Sequence, residues 1–215
     1  MTTPRQDAEG FVQLWPTILL RRTLADHGRH QAGLTAFIDA QEAAKTDLTT
    51  DYLAGNLFAV DEPAINWLRG EVNETVIRYL RRAGIGYPVN WTVQGWANIN
   101  RFGDYHDYHN HPRAYLSGTY YVRVPEEREP LRTRGDLRPG CITFYDPRYA
   151  VNAWAIRDDP YIEPEYTVQP EAGLIMLWPS FLNHFVHPNL SREPRISISF
   201  NINLKWQDHY LPPQT

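Results

Sequence analysis

The sequence predicts a mainly β fold, a sandwich or barrel of short strands preceded by helices. Three observations carry this. Tyr (13), Trp (7) and Pro (17) are abundant in 215 residues, which suits pleated, half-buried surfaces better than a helical bundle. Beyond Gly86, short β-favouring runs alternate with Gly, Pro and Asp turn residues. Before Gly86 the apolar spacing is mostly helical.

Taken in order, the apolar run from Phe11 to Leu20 is broken by Pro16 and reads as an edge strand, where a missing N–H is tolerated. From about Ala25 to Lys45, Leu34, Phe37, Ile38 and Ala44 keep a loose helical spacing. A clearer helix follows. Asp61 is placed to cap it, with Glu62 and Pro63 in the first turn. Ile65, Leu68, Val72, Val76, Tyr79, Leu80 and Ala83 trace one face. Arg78, Arg81 and Arg82 fall in the last turns, where positive charge suits the dipole, and Gly84 is the stop. Strands are then predicted at Trp91–Val93, Trp96–Asn100, Tyr115–Val124, Cys141–Tyr145, Tyr166–Val168, Gly173–Trp178 and Arg195–Leu204. The two helices would cover one sheet face. The expected organisation is a single domain over 1–215, with a supporting strand and helices over 1–86, the β core over 87–206 and a loose tail over 207–215.

Charge and composition narrow the function classes. With 21 basic and 25 acidic residues, the net charge of −4 gives no electrostatic case for nucleic acid or an anionic membrane surface. No apolar run approaches the ~20 residues that span a bilayer. The polar first residues lack the features of a signal peptide, so a cytoplasmic address is expected. A lone cysteine, Cys141, excludes an intramolecular disulfide framework or a multi-cysteine metal site. Inside a predicted strand it reads as a small buried hydrophobe.

Chemistry concentrates in two histidine clusters. His106, His109 and His111 lie within Gly103–Pro112, and His184 and His187 within Leu177–Pro188. Period two puts His109, His111 and Asp107 on one face, with His106, Tyr108 and Asn110 on the other. Two imidazoles and a third N or O ligand suit ferrous iron, although imidazole also serves zinc, copper and nickel. Arg195 opens an alternating strand that places Arg195, Ser197 and Ser199 on one face and Ile196, Ile198 and Phe200 on the other. A buried arginine needs an anionic partner, and its planar fork matches a carboxylate. A surface ion pair is the plainer alternative. The Tyr145–Tyr166 stretch is a candidate substrate lid, with Trp154, Arg148 and Arg157 as lining residues. Asp146 and Arg148 could instead close an ion-paired turn.

These motifs in order, His109-x-His-Pro112, Leu116-Ser-Gly-Thr-Tyr-Tyr-Val122, Asp146-Pro-Arg148, Gly173–Ser180, His184 and Arg195-Ile-Ser-Ile-Ser-Phe-Asn201, resemble a family of bacterial and phage 2-oxoglutarate and iron(II)-dependent oxygenases. Leu14–Thr17 also looks like the family's opening, which extends the resemblance over nearly the whole chain. It implies a double-stranded β-helix, the cupin-like jelly roll. It implies His109 and His184 as iron ligands and Arg195 as the partner of the 2-oxoglutarate distal carboxylate. The usual His-x-Asp/Glu motif is absent, so His111 is the expected third ligand, with Asp107, or an iron that keeps only two protein ligands, as the alternatives. His106 and His187 are placed outside the ligand set. Tyr115, Tyr121 and Ser197 are candidate cosubstrate contacts. The implied activity couples O2 and 2-oxoglutarate to hydroxylation of a small molecule, such as an amino acid or biosynthetic intermediate, by an enzyme that often dimerises. A cupin-type dioxygenase working without 2-oxoglutarate and a non-catalytic jelly-roll binding protein are the rival readings.

Overall fold

The computed structural model describes residues 8–11, 15–44, 55–126, 138–148 and 163–210. The first strand, β1 (Leu20–Thr23), leads into α1 (His27–Ala44) and α2 (Pro63–Arg82). Eight further strands follow among the described residues: β2 (Trp91–Asn100), β3 (His106–His109), β4 (Leu116–Arg123), β5 (Ile142–Tyr145), β6 (Glu165–Val168), β7 (Leu174–Pro179), β8 (His184–Val186) and β9 (Arg195–Leu204). They form a five-stranded sheet, ordered β1-β7-β4-β9-β2, facing a four-stranded sheet, ordered β3-β8-β5-β6. The pairings are antiparallel. This is the expected jelly roll with N-terminal helices.

Both helices lie against the outer face of the larger sheet. Leu34 and Ile38 of α1, and Ile65, Leu68, Val72, Val76 and Leu80 of α2, pack with Ile196, Ile198, Phe200 and Ile202 of β9. A second apolar cluster, built on Tyr121, Ile142, Phe144, Met176 and Trp178, belongs to the space between the sheets. The end of α2 follows from Gly84. At φ +86° it lets Gly84 N–H donate to Arg81 O (3.1 Å) and Ile85 N–H to Leu80 O (3.0 Å), a paired closure that satisfies the last carbonyls.

Several local expectations need correction. The edge strand exists, but it begins at Leu20, after Pro16 rather than around it. Proline would have removed a donor from the pairing with β7. Glu62, not Asp61, occupies the cap of α2. The Asp61 carboxylate instead accepts from the Asn66 side chain at 2.7 Å. Ala44 and Ala83 are exposed, because each lies at the end of its helix beyond the sheet. The two strands predicted at Trp91–Val93 and Trp96–Asn100 are one, since Gly95 does not interrupt the ladder. It makes room: a Cβ there would lie 2.4 Å from the Phe58 ring, while its N–H donates to Asn56 Oδ1 at 3.0 Å. The tail contains a short turn of 3-10 helix at Asp208–Tyr210, and the Tyr210 hydroxyl accepts from Asn90 N–H at 2.7 Å.

Candidate functional site

One cavity between the sheets collects most of the residues singled out above. Its volume is about 460 Å³ including its open mouth, and its walls include His106, His109, His111, His184, Tyr121, Arg195 and Ser197.

β3 and β8 pair so that His109 stands directly across from His184. Their ring centroids are 4.3 Å apart. His111 lies just beyond the end of β3, where its N–H donates to Ser180 O at 2.9 Å. Its ring stacks against His184 at 5.4 Å and meets His109 at 5.2 Å. One ligand nitrogen from each of the three falls within 4.8 Å of the others. Two of the rings are oriented by backbone carbonyls: His109 Nδ1–H donates to Asp107 O (2.5 Å) and His184 Nδ1–H to Leu182 O (3.0 Å). That fixes the tautomer and presents each Nε2 lone pair. Burial pulls His184 down to about 3 and His111 down to about 4, with neighbouring imidazoles adding to the effect. Both are neutral at physiological pH, the form that binds a metal. The donor set therefore fits a single divalent ion such as iron(II).

Asp107 does not join this group. Its side chain is exposed and accepts from Tyr108 N–H at 2.7 Å, so only its backbone carbonyl serves the site. His187 also stands apart, buried with its Nε2 2.8 Å from the Thr143 hydroxyl. His106 departs from the strict period-two reading. The pairing of β3 with β8 shifts register between His106 and His109, which turns His106 into the cavity with them. Its ring lies 6.3 Å from His109, and burial, helped by the Arg195 charge, brings it down to about 4.

The opposite wall is the inner face of β2, β4 and β9. Arg195 is 1% exposed. It pairs across strands with Asn100, Ser197 with Asn98 and Tyr121, and Ser199 with Trp96 and Thr119. All of these line the cavity. The Arg195 guanidinium donates to Gly140 O (3.2 Å) and Asn100 Oδ1 (3.0 Å). Burial raises the Tyr121 phenol to about 12, so it remains a neutral donor. Tyr115 is the correction on this wall. It sits one residue before β4, is 39% exposed and does not line the cavity, because the alternation of faces holds only within the strand.

Arg148 pairs with Asp146 (Nη2–Oδ2, 2.5 Å), the ion-paired turn held as the alternative to a substrate contact. Trp154 and Arg157 lie outside the described residues. The residues that sequence reasoning missed are Trp96, Asn98, Asn100 and Trp178. Polar positions alternating with apolar ones in Ala97-Asn98-Ile99-Asn100 were the available signal, since they mark a strand with one wet face.

A family model described as "Putative 2OG-Fe(II) oxygenase" matches residues 94–201, just over half the chain. No curated protein matches it. Among solved structures, a Pseudomonas putida prolyl-4-hydroxylase is 13% identical, covering 87% of this chain and 88% of that one at a TM-score of 0.56. HygX from Streptomyces hygroscopicus, solved with nickel and 2-oxoglutarate bound, is 11% identical over 88% and 83%, with a TM-score of 0.57. AviO1 from Streptomyces viridochromogenes Tue57 is 14% identical over 92% of each chain, with a TM-score of 0.54. At these identities the likeness is one of fold.

Proposed function

Because the chain belongs to the 2OG-Fe(II) oxygenase family, we propose that His109, His111 and His184 hold its iron(II) and that Arg195 receives the distal carboxylate of its 2-oxoglutarate. The observation that carries this reading is the convergence of three imidazoles in a cavity whose other wall bears a buried guanidinium. When bound, iron(II) and 2-oxoglutarate supply the means to use O2 for oxidising an unactivated C–H bond. The chain's own residues bind, orient and exclude water. Carbonyls of Asp107 and Leu182 aim two imidazoles. His111 takes the place that a carboxylate fills in the usual motif. Arg195 offers a planar fork to the dicarboxylate, and the hydroxyls of Tyr121 and Ser197 face the same space from the adjacent strand and its own. Trp96 and Trp178 contribute apolar surface that limits solvent.

The substrate in this reading is a small molecule hydroxylated at a C–H bond. A concave site walled by both sheets and a net charge of −4 support that choice over nucleic acid. A cytoplasmic address is supported by the single cysteine.

Anaerobic titration with iron(II), then 2-oxoglutarate, tests the assignment through the visible metal-to-ligand charge-transfer band. The band should appear in the wild type, disappear in His109→Ala, His111→Ala and His184→Ala, and require more 2-oxoglutarate in Arg195→Ala. No band in folded, iron-loaded wild type would overturn it.

A further inference from the structure

We infer that His106 and Asn100 are positioning residues for the cosubstrate: a hydrogen-bond chain running from Arg195 through Asn100 to His106 sets the attitude of the guanidinium. This rests on the assignment of Arg195 made above.

The chain has only one consistent set of donors. Arg195 opens β9 and Asn100 closes β2, directly opposite each other. Arg195 Nη2 lies 3.0 Å from Asn100 Oδ1. Arginine donates and never accepts, so the amide orientation of Asn100 is determined: Oδ1 faces the guanidinium and Nδ2 faces away. Nδ2 lies 3.2 Å from His106 Nε2. An amide nitrogen donates only, so Nε2 must accept and the imidazole proton sits on Nδ1. Each group therefore fixes the next.

The surroundings hold this chain in place. Asn189 Nδ2 donates to the Asn100 carbonyl at 2.9 Å and to Glu193 O at 2.8 Å, tying the end of β2 to the loop before β9. Asn100 is 0% exposed, so its amide has little room to turn. His106 reaches Asn100 only because of the register shift between His106 and His109. Without it, alternation would point the ring outward. His106 also stands outside the three-imidazole group, leaving its Nε2 for Asn100.

A planar guanidinium recognises a carboxylate well only when two N–H groups lie in line with two oxygens. Asn100 and the Gly140 carbonyl are neutral acceptors, so these two contacts orient Arg195 without cancelling its charge. Loss of the His106 acceptor would free the Asn100 amide to rotate and loosen the plane it holds.

Calorimetric titration of the anaerobic, iron(II)-loaded protein compares 2-oxoglutarate with 2-oxopentanoate, a 2-oxo acid without the distal carboxylate. His106→Leu and Asn100→Ala should bind 2-oxoglutarate roughly tenfold more weakly. Their 2-oxopentanoate affinity and iron stoichiometry should be unchanged. His106→Gln, whose Oε1 can accept the same N–H, should stay within about threefold of wild type. Asn100→Asp should weaken 2-oxoglutarate most, because a carboxylate then occupies the guanidinium. Unaltered 2-oxoglutarate affinity in folded His106→Leu, or parallel weakening of both acids, overturns the inference. If His106→Leu does not fold, wild-type affinity in Asn100→Asp overturns it equally. Failure of the wild type to bind 2-oxoglutarate would instead strike the functional assignment itself.

Discussion

The two faces of the five-stranded sheet are built from the same strands and do opposite work. On β9, Ile196, Ile198, Phe200 and Ile202 are 0% exposed and meet the helices in one apolar core. Their neighbours in sequence, Arg195, Ser197 and Ser199, face the cavity. One side is held by close packing, whose loss costs stability. The other carries polar atoms in a hollow, where burial must be offset by hydrogen bonds within the protein or to a ligand. A two-residue period thus separates stability from binding along one strand. The same alternation lets substitutions probe each function alone.

The largest effect should come from the helix side. Phe200→Ala is expected to cost about 3–5 kcal/mol in denaturant unfolding. Its ring packs edge-on to Phe58 and occupies the space that a Cβ on Gly118 would need. A loss below ~1 kcal/mol would show that this side is not the stabilising one. Across the sheets, His184→Ala should behave in the reverse sense. Iron(II) affinity should fall by at least about 100-fold in a competition titration. The unfolding midpoint of the metal-free protein should move far less than in Phe200→Ala.

Acid should sharpen the contrast by a smaller amount. His111 and His184 have pKa values near 4 and 3 in the folded chain, against 6.5 when exposed. As pH falls through 6.5, the unfolded chain takes up protons that the folded chain refuses. Stability of the metal-free protein is therefore highest above pH 6.5 and is lost progressively toward pH 4. Melting curves between pH 7 and 5 should show the decline, and it should be shallower in His184→Phe. The smallest effect is expected at Asp107. Asp107→Asn should leave iron(II) affinity within about twofold, since the site uses the backbone carbonyl of that residue. A large loss there would restore the carboxylate as a ligand and displace His111 from that role.

Much of this was legible in the chain. The periodicity of α2, the strand at Arg195–Leu204 and the alternation of its faces are local properties, and each appears where spacing placed it. The grouping of His109, His111 and His184 also followed, because the motif order implied which distant segments meet. What escaped was what a neighbour decides. Gly95 looked like a break between two strands until Phe58 explained its missing side chain. His106 looked outward until the shift in the β3–β8 pairing turned it inward. Tyr115 was given a place in the site that belongs to residues inside β4.

By itself the sequence determined which side of a strand such as Arg195–Leu204 is apolar and the residue types available to the site. Hydrophobic periodicity is written along the backbone and depends on no partner. Only the tertiary structure decided that His106 turns into the cavity beside the other three, that Asp107 lends a carbonyl rather than a carboxylate, and that Asn100 ties His106 to Arg195. Those outcomes depend on register between strands far apart in sequence. A shift of one residue there reverses the direction of every side chain.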